Sequence, residues 1–179
     1  GAELLTLRHD GGVNGAELLA DGRILSWSWD GKVRLWDGQS GELLLTLRHD
    51  DVVYGAAMVA DGRILSWSTD GTARLWAVVS GASQVLEDHR ANVNGVGFLS
   101  SGEIVTAAYD GQVRIFRRDG VLRATVRADA PLARLRVAPD DEIVLAGADG
   151  HLRFIGPDGA QRAKLAKARF RAGLAGVMR

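Results

Sequence analysis

The sequence has 179 residues, a formal net charge of +0, 46% apolar residues and no cysteine. The lack of cysteine excludes disulfide bonds and thiolate metal centres, and a neutral chain has no global field that would draw it to nucleic acid. No apolar run approaches the roughly 18–20 residues of a membrane span, so we expect a cytoplasmic globular protein. The preference for Arg over Lys, with abundant Ala, Gly and Leu, favours a bacterial origin.

Two segments of the chain recur with a spacing of 40 residues. The segment DGRILSWS occurs at 21–28 and 61–68, and LLTLRHD occurs at 4–10 and 44–50. A third and a fourth unit follow in step, and the fourth is one residue shorter. The chain therefore divides into four repeats and a C-terminal segment, which are 1–40, 41–80, 81–119, 120–158 and 159–179.

Each repeat has the pattern of four short strands separated by turns. In the first repeat, the apolar runs predict strands at roughly 3–8, 13–19, 23–29 and 32–37. Asp-Gly pairs such as Asp30-Gly31 separate the runs, and Asp-Gly is a strong hairpin signal because type I′ turns need positive φ at both central residues. Tandem four-stranded units of about 40 residues predict an all-β fold, a β-propeller of four blades.

The C-terminal segment 159–179 has two interpretations. It carries basic residues and no acid, and it aligns as the first half of a fifth repeat. We expect a strand in its first half, although its Ala-rich composition also permits a helix. A basic tail that binds nucleic acid is disfavoured because no aromatic ladder accompanies the charges. The basic residues are Arg162, Lys164, Lys167, Arg169, Arg171 and Arg179.

The first repeat, LRHDGGVNGAELLADGRILSWSWDGKVRLWD, resembles the WD-repeat family. The resemblance covers 1–119 strongly and 120–158 weakly. It rests on the His, the Asp-Gly turns and the closing Trp-Asp in combination. The Gly-His pair of the family appears here as Arg8-His9, so only the His is kept.

This resemblance implies a hydrogen-bonded tetrad of His, Ser or Thr, Asp and Trp inside each blade. Such a tetrad satisfies buried polar groups. The matching residues are His9, Ser26, Asp30 and Trp36 in the first repeat, His49, Ser66, Asp70 and Trp76 in the second, and His89, Thr106 and Asp110 in the third. Phe116 replaces the third Trp, and only Asp149 survives in the fourth repeat, so we expect a shorter third network and no fourth network.

The Ser, His and Asp of the tetrad also suggest a hydrolase, but the set recurs at the same offsets in two repeats and a Trp completes it. No Gly-x-Ser-x-Gly elbow accompanies it. The histidines are separated by whole repeats and do not form a metal cluster. We therefore expect neither catalysis, nor a metal, nor a cofactor.

Family geometry places a binding surface at the loops of one rim, where Trp, Tyr and Asn are typical contact residues. The alternative is that the aromatic residues pack over a neighbouring blade. The candidate residues are Asn14, Trp29, Tyr54, Thr69, Asn94 and Tyr109.

The resemblance favours a non-enzymatic scaffold for protein–protein interaction and self-assembly. One alternative is a lectin-like propeller in which Trp27, Trp29 and Trp67 stack on a sugar, and another is a propeller enzyme. Blades of this family close into rings of about six to eight, so four blades would leave apolar faces exposed. We expect a homodimer that completes an eight-bladed ring.

Overall fold

A computed structural model describes residues 5–86 and 89–165, with residues 163–165 described by their backbone alone. This part of the chain forms four four-stranded antiparallel sheets. The first sheet contains β1 (Val13–Leu18), β2 (Ile24–Ser28), β3 (Lys32–Trp36) and β4 (Leu43–Arg48). The second contains β5 (Val53–Met58), β6 (Ile64–Ser68), β7 (Ala73–Trp76) and β8 (Ser83–Val85). The third contains β9 (Val93–Phe98), β10 (Ile104–Ala108), β11 (Gln112–Phe116) and β12 (Leu122–Arg127). The fourth contains β13 (Leu132–Val137), β14 (Ile143–Gly147), β15 (Leu152–Ile155) and β16 (Gln161–Leu165). The predicted all-β class and the four-stranded unit are confirmed.

The sheets are offset from the sequence repeats. The first sheet takes its last strand, β4, from the second repeat, and each later sheet takes its last strand in the same way. The strand predicted at 3–8 is wrong for residues 5–8, which lie outside any strand. In the segment 159–179, β16 completes the fourth sheet, and the helix considered for the remainder lies outside the described residues.

Glycine is required at the turn between β2 and β3. Gly31 has a φ of 74°, a conformation that costs other residues about 1–2 kcal/mol. A Cβ added there would also lie 3.0 Å from the carbonyl oxygen of His49. The chain passes this closely because the His49 amide donates to the Gly31 carbonyl at 2.8 Å. The turn thus locks β4 to the β2–β3 hairpin.

The chain divides into two compact units, Gly1–Val93 and Asn94–Arg179. In the first unit, the first sheet packs on the second through a core of buried apolar side chains. In the second unit, the third sheet packs on the fourth in the same manner. Each unit is therefore a pair of sheets with its own apolar core.

In the second unit, the Asp141 carboxylate links the third and fourth sheets through hydrogen bonds at the surface. Asp141 has a φ of 64°, whereas glycine occupies the matching turn positions of the other sheets, such as Gly102. The Asp141 carboxylate accepts a bond of 2.7 Å from the Ser100 amide, and it also accepts one from the Ser100 hydroxyl. These bonds lower the pKa of Asp141 and tie the first turns of the third and fourth sheets together.

We expect Gly31→Ala to destabilise the protein more than Gly22→Ala. Both glycines have positive φ, so each substitution costs about 1–2 kcal/mol. A Cβ at Gly22 meets no atom within 4 Å, whereas a Cβ at Gly31 meets the His49 carbonyl. Urea unfolding of both variants measures the difference, and equal losses of stability would show that the close approach at Gly31 does not matter.

Candidate functional site

The first tetrad forms as the resemblance implies, and its hydrogen bonds lead from the Trp36 indole to the Asp30 carboxylate. The indole N–H of Trp36 donates to Ser26 Oγ at 2.8 Å, and Ser26 Oγ lies 2.7 Å from His9 Nε2. The Asp30 carboxylate can only accept, so His9 carries a proton on Nδ1, which donates to Asp30 at 3.2 Å. Burial lowers the pKa of His9 and favours the neutral imidazole. In the neutral form Nε2 has no proton, so it accepts from the Ser26 hydroxyl.

The second tetrad repeats this geometry deeper in the protein. Trp76 donates to Ser66 Oγ at 2.8 Å, Ser66 Oγ lies 2.7 Å from His49 Nε2, and His49 Nδ1 lies 2.8 Å from Asp70 Oδ2. The hydroxyl of Thr72 donates to the same carboxylate at 2.7 Å. Burial is the largest influence on the pKa of His49 and lowers it, and the bond to Asp70 opposes this shift.

The turn carboxylate is the best-connected member of the tetrad. Asp30 accepts from the backbone amides of Asp10 and Lys32, each at 3.0 Å, as well as from His9. Burial raises the pKa of Asp30, but these hydrogen bonds outweigh burial, so the pKa falls below its usual value. Asp30 therefore stays ionised and connects the segment of His9 and Asp10 to the turn between β2 and β3.

The third repeat keeps the residue types but lacks the indole. His89, Thr106 and Phe116 are each buried, and Asp110 accepts from the Gln112 amide at 2.9 Å. A phenyl ring has no N–H to donate. The indole donor that ends the first two networks is therefore missing from the third.

The expectation that the fourth repeat has no polar network is corrected by an arginine that sequence reasoning missed. Arg153 is buried and donates to both oxygens of Asp149, at 3.1 Å and 2.6 Å. The same guanidinium donates to Asp129 Oδ1 at 3.0 Å and 2.6 Å. The bond from Arg153 is the main reason that the pKa of Asp149 lies far below its usual range. A charged arginine thus holds the turn carboxylate where His and Ser are absent.

The position of Arg153 on the third strand is occupied by an arginine in every repeat. This recurrence in the sequence was the signal that could have identified the arginine as part of the network. Arg34 donates to Asp10 Oδ2 at 3.1 Å, and its guanidinium lies 5.8 Å from the centre of the Trp36 ring. Such a contact between a cation and an aromatic face is favourable. The tetrad of the first two repeats is therefore a set of five side chains. The four arginines are Arg34, Arg74, Arg114 and Arg153.

The tetrads are unsuited to nucleophilic catalysis. Ser26 is buried, accepts from Trp36 and donates to His9. A hydroxyl in this state has no free path to a substrate carbonyl. In residues 5–86 and 89–165, no three His, Asp or Glu side chains are grouped as metal ligands. The search for membrane-spanning helices finds none in this part of the chain that is sufficiently long and apolar.

Among the rim candidates, Trp29 is both exposed and anchored. Its side chain is 64% exposed, and its indole N–H donates to Asn14 Oδ1. The ring lies against Gly12, where a Cβ would come within 3.1 Å of it. Asn14 in turn donates to the Val53 carbonyl at 2.8 Å, so it links the first sheet to the second and orients Trp29.

The other rim candidates fall into two groups. Tyr54 and Tyr109 are exposed. Asn94 donates to the Leu132 carbonyl at 2.9 Å and links the third sheet to the fourth, as Asn14 links the first pair. Thr69 is half-buried, and its amide donates to the Val52 carbonyl at 3.0 Å. The aromatic residues therefore supply the exposed surface, while the two asparagines and Thr69 are engaged with the backbone.

Two tryptophans considered for sugar stacking, Trp27 and Trp67, each have one ring face covered. The Trp27 ring lies over Gly15 and the Trp67 ring over Gly55, so closely that neither glycine has room for a side chain. Both tryptophans are half-buried, and Trp27 also packs on the core of the first unit. One face of each ring is thus covered by its own sheet.

We expect Asp30→Ala to destabilise the protein more than Trp36→Phe. The first change strands the donors of His9, Asp10 and Lys32, at about 1–3 kcal/mol for each buried group left unpaired. The second removes one donor, worth about 1 kcal/mol, and leaves Ser26 bonded to His9. Thermal and urea unfolding give the order, and Asp70→Ala with Trp76→Phe is the matched pair in the second repeat. A larger loss for the tryptophan variants would overturn the ranking.

We expect stability to fall as the pH drops below about 6.5. Burial lowers the pKa of His9 and of His49 in the folded protein. A group with a depressed folded pKa contributes stability above its unfolded pKa, near 6.5 for His, and loses it on acidification. The carboxylates Asp30 and Asp70, also depressed, add a second loss below about pH 4. Urea unfolding from pH 8 to pH 5 tests the first step, and His49→Gln should flatten it. Constant stability from pH 8 to pH 5 would contradict the assignment of His9 and His49 as neutral, hydrogen-bonded side chains.

Comparisons with known proteins agree with this geometry. The family model described as WD domain, G-beta repeat, matches residues 1–37 and 81–117. The crystal structure of the WD40 β-propeller domain of Doa1 is similar, with a TM-score of 0.72 and 27% identity, over 82% of this chain and 51% of that one. This chain thus spans about half the length of that domain.

A second solved structure shares the fold. The crystal structure of the computationally designed Ika4 protein has a TM-score of 0.74 and 23% identity, over 86% of this chain and 97% of that one. No curated protein matches the chain. Two repeats match the family model, both tetrads are formed, and the neighbours are of the same fold. Residues 1–37 and 81–117 thus carry the repeat of the WD family, and the chain has the fold of WD40 β-propeller domains.

Proposed function

We propose that this protein is a non-enzymatic scaffold that holds a protein partner at the rim around Trp29 and that also assembles with itself. WD40 propellers generally mediate protein–protein interaction. The observation that carries the proposal for this chain is the combination of exposure and rigidity at Trp29. Tryptophan and tyrosine are the side chains that contribute most binding energy at protein interfaces.

The anchoring of Trp29 favours binding because it reduces the entropy lost on association. Gly12 supports one face of the ring and Asn14 fixes the indole N–H. A side chain already held in place avoids about 0.5–1.5 kcal/mol of ordering cost when a partner arrives. Tyr54, also exposed, follows Val53, whose carbonyl receives the bond from Asn14. Asn14 thus ties Trp29 to the residue that precedes Tyr54, and we call these two exposed aromatic residues the Trp29 rim.

Self-assembly is the second part of the proposal. A dimer of two four-sheet chains would contain eight blades and complete a ring. Two apolar side chains of the first sheet, Val13 and Leu18, are exposed and support this dimer. Their counterparts in the second sheet are Val53, which is buried, and Met58, which packs against the core. Large exposed apolar patches on soluble proteins mark interaction sites.

We expect Trp29→Ala to abolish capture of the partner without unfolding the chain, since the ring is mostly outside the core. Immobilised wild-type protein, Trp29→Ala and the control Val79→Ala are exposed to lysate of the organism that encodes the gene, and retained proteins are quantified. Val79 is fully exposed in the turn after β7. The proposal predicts a protein retained by wild type and Val79→Ala and lost from Trp29→Ala.

A uniform set of retained proteins across the three samples would refute the Trp29 rim as a protein-binding surface. The same three proteins applied to a glycan array test the lectin-like alternative. Glycan binding that depends on Trp29, without retained protein, would replace the scaffold with a sugar-binding function.

A further inference from the structure

Each sheet has two faces. We call the face that carries Leu25 in the first sheet, and the equivalent face of each other sheet, the back face. The opposite face, which carries Ile64 in the second sheet, is the front face. In the first unit, the back face of the first sheet packs on the front face of the second sheet. The back-face residues are Leu25, Val33 and Leu35, and the front-face residues are Val53, Ala56, Ile64 and Trp76.

The second unit builds the same contact again. The back face of the third sheet packs on the front face of the fourth sheet. These side chains are all buried. The back-face residues are Val105, Val113 and Ile115, and the front-face residues are Leu132, Leu135, Ile143, Leu145 and Ile155. The chain thus forms one type of contact twice, each time between a back face and a front face.

The front face of the first sheet carries the same residue types, and its β1 side is uncovered, although Trp36 on β3 is buried. Val13 is 55% exposed, whereas Val53 at the matching position is 0% exposed. Leu18 is 72% exposed, and its counterpart Met58 is half-buried against the core. Ala16 is exposed as well, although Ala56 is buried. This front face is therefore complementary to a back face that it does not contact.

The back face of the fourth sheet is also incompletely covered. Val144 pairs with Phe154, and Ala146 pairs with Leu152, so all four side chains share the face opposite the buried Leu145. Each of the four is partly exposed, although the matching residues of the first sheet, such as Leu25 and Val33, are fully buried.

The charges on this back face are compatible with its burial. Arg134 pairs with Ala146 and Arg136 with Val144, so the two arginines share the face and are exposed. They lie on β13, the edge strand of the sheet. Long arginine side chains at an edge cover apolar surface with their stems and keep the guanidinium in water. The apolar centre can be covered without burying a charge.

Building on the proposed self-assembly, we propose that the back face of the fourth sheet of one chain packs on the front face of the first sheet of a second chain, and that the second chain returns the same contact. The two free faces have the chemistry of the contact that the chain forms twice internally, so a second copy supplies the missing partner for both. A two-fold axis then relates two identical contacts and closes the assembly at two chains.

The test compares solution masses of wild type and three variants by light scattering over a range of concentrations. Leu18→Asp places a charge on the front face at a site exposed in the single chain, so it leaves folding intact. Phe154→Asp places a charge on the back face at a partly exposed side chain. Val79→Asp is the control, because Val79 is fully exposed in the turn after β7 and lies on neither free face. We expect about 38 kDa, twice 19.1 kDa, for wild type and Val79→Asp, and the single-chain mass for Leu18→Asp and Phe154→Asp.

A mixture of Leu18→Asp and Phe154→Asp gives the decisive measurement. The Leu18→Asp chain keeps an intact back face, and the Phe154→Asp chain keeps an intact front face, so the mixture should recover a species of twice the chain mass. Recovery also demonstrates that both variants fold. No recovery, with circular dichroism showing both folded, would overturn the assigned faces.

The remaining outcomes separate this inference from the proposed function. If Leu18→Asp stays a dimer, or if Val79→Asp also dissociates, the faces are wrong and self-assembly stands. If wild type has the single-chain mass at every concentration, both self-assembly and this inference fail. The Trp29 rim is tested independently by its own capture experiment.

Discussion

The carboxylate at the turn between the second and third strands holds each described network together. In the first sheet, Asp30 accepts from a histidine ring and from two backbone amides of different segments. A buried carboxylate is stable only when such donors replace its hydration. The hairpin, the incoming loop and the polar chain that ends at Trp36 therefore form together. Removing the carboxylate would leave donors from all three without an acceptor.

The fourth sheet shows which part of this arrangement is indispensable. His, Ser and Trp are all replaced there, yet the turn carboxylate remains and Arg153 binds it with two hydrogen bonds. A guanidinium matches a carboxylate in shape and charge, so the arginine alone holds the carboxylate where the imidazole is absent. The repeats share this arginine and the acceptor, and they differ in the remaining donors. The indole, serine and histidine constitute one of two solutions to the same requirement.

Both tetrads were expected from the resemblance to the WD-repeat family. The sequence itself predicted the four-stranded units because their residues recur at fixed offsets, such as Asp30 and Asp70. It could not predict the bond between Arg153 and Asp129, because ion pairing depends on side-chain direction rather than on residue type. The role of Asn14 was also hidden, since its acceptor is a backbone carbonyl that carries no sequence signal. The strand predicted at 3–8 failed for a different reason: a periodic pattern defines the length of a unit but not the point at which the unit begins.

The offset between sheets and repeats affects how a chain of this type can change its length. Because β4 lies one repeat beyond the three strands it completes, consecutive sheets overlap along the chain. Inserting or deleting one whole period, begun at any residue, leaves each remaining sheet with four strands. An insertion of another length inside a strand shifts its register, and a shift by one residue reverses its side chains. Duplication of a gene segment of one period is therefore tolerated wherever its ends fall, and the first two repeats, identical at 26 of 40 positions, are the product expected from such an event.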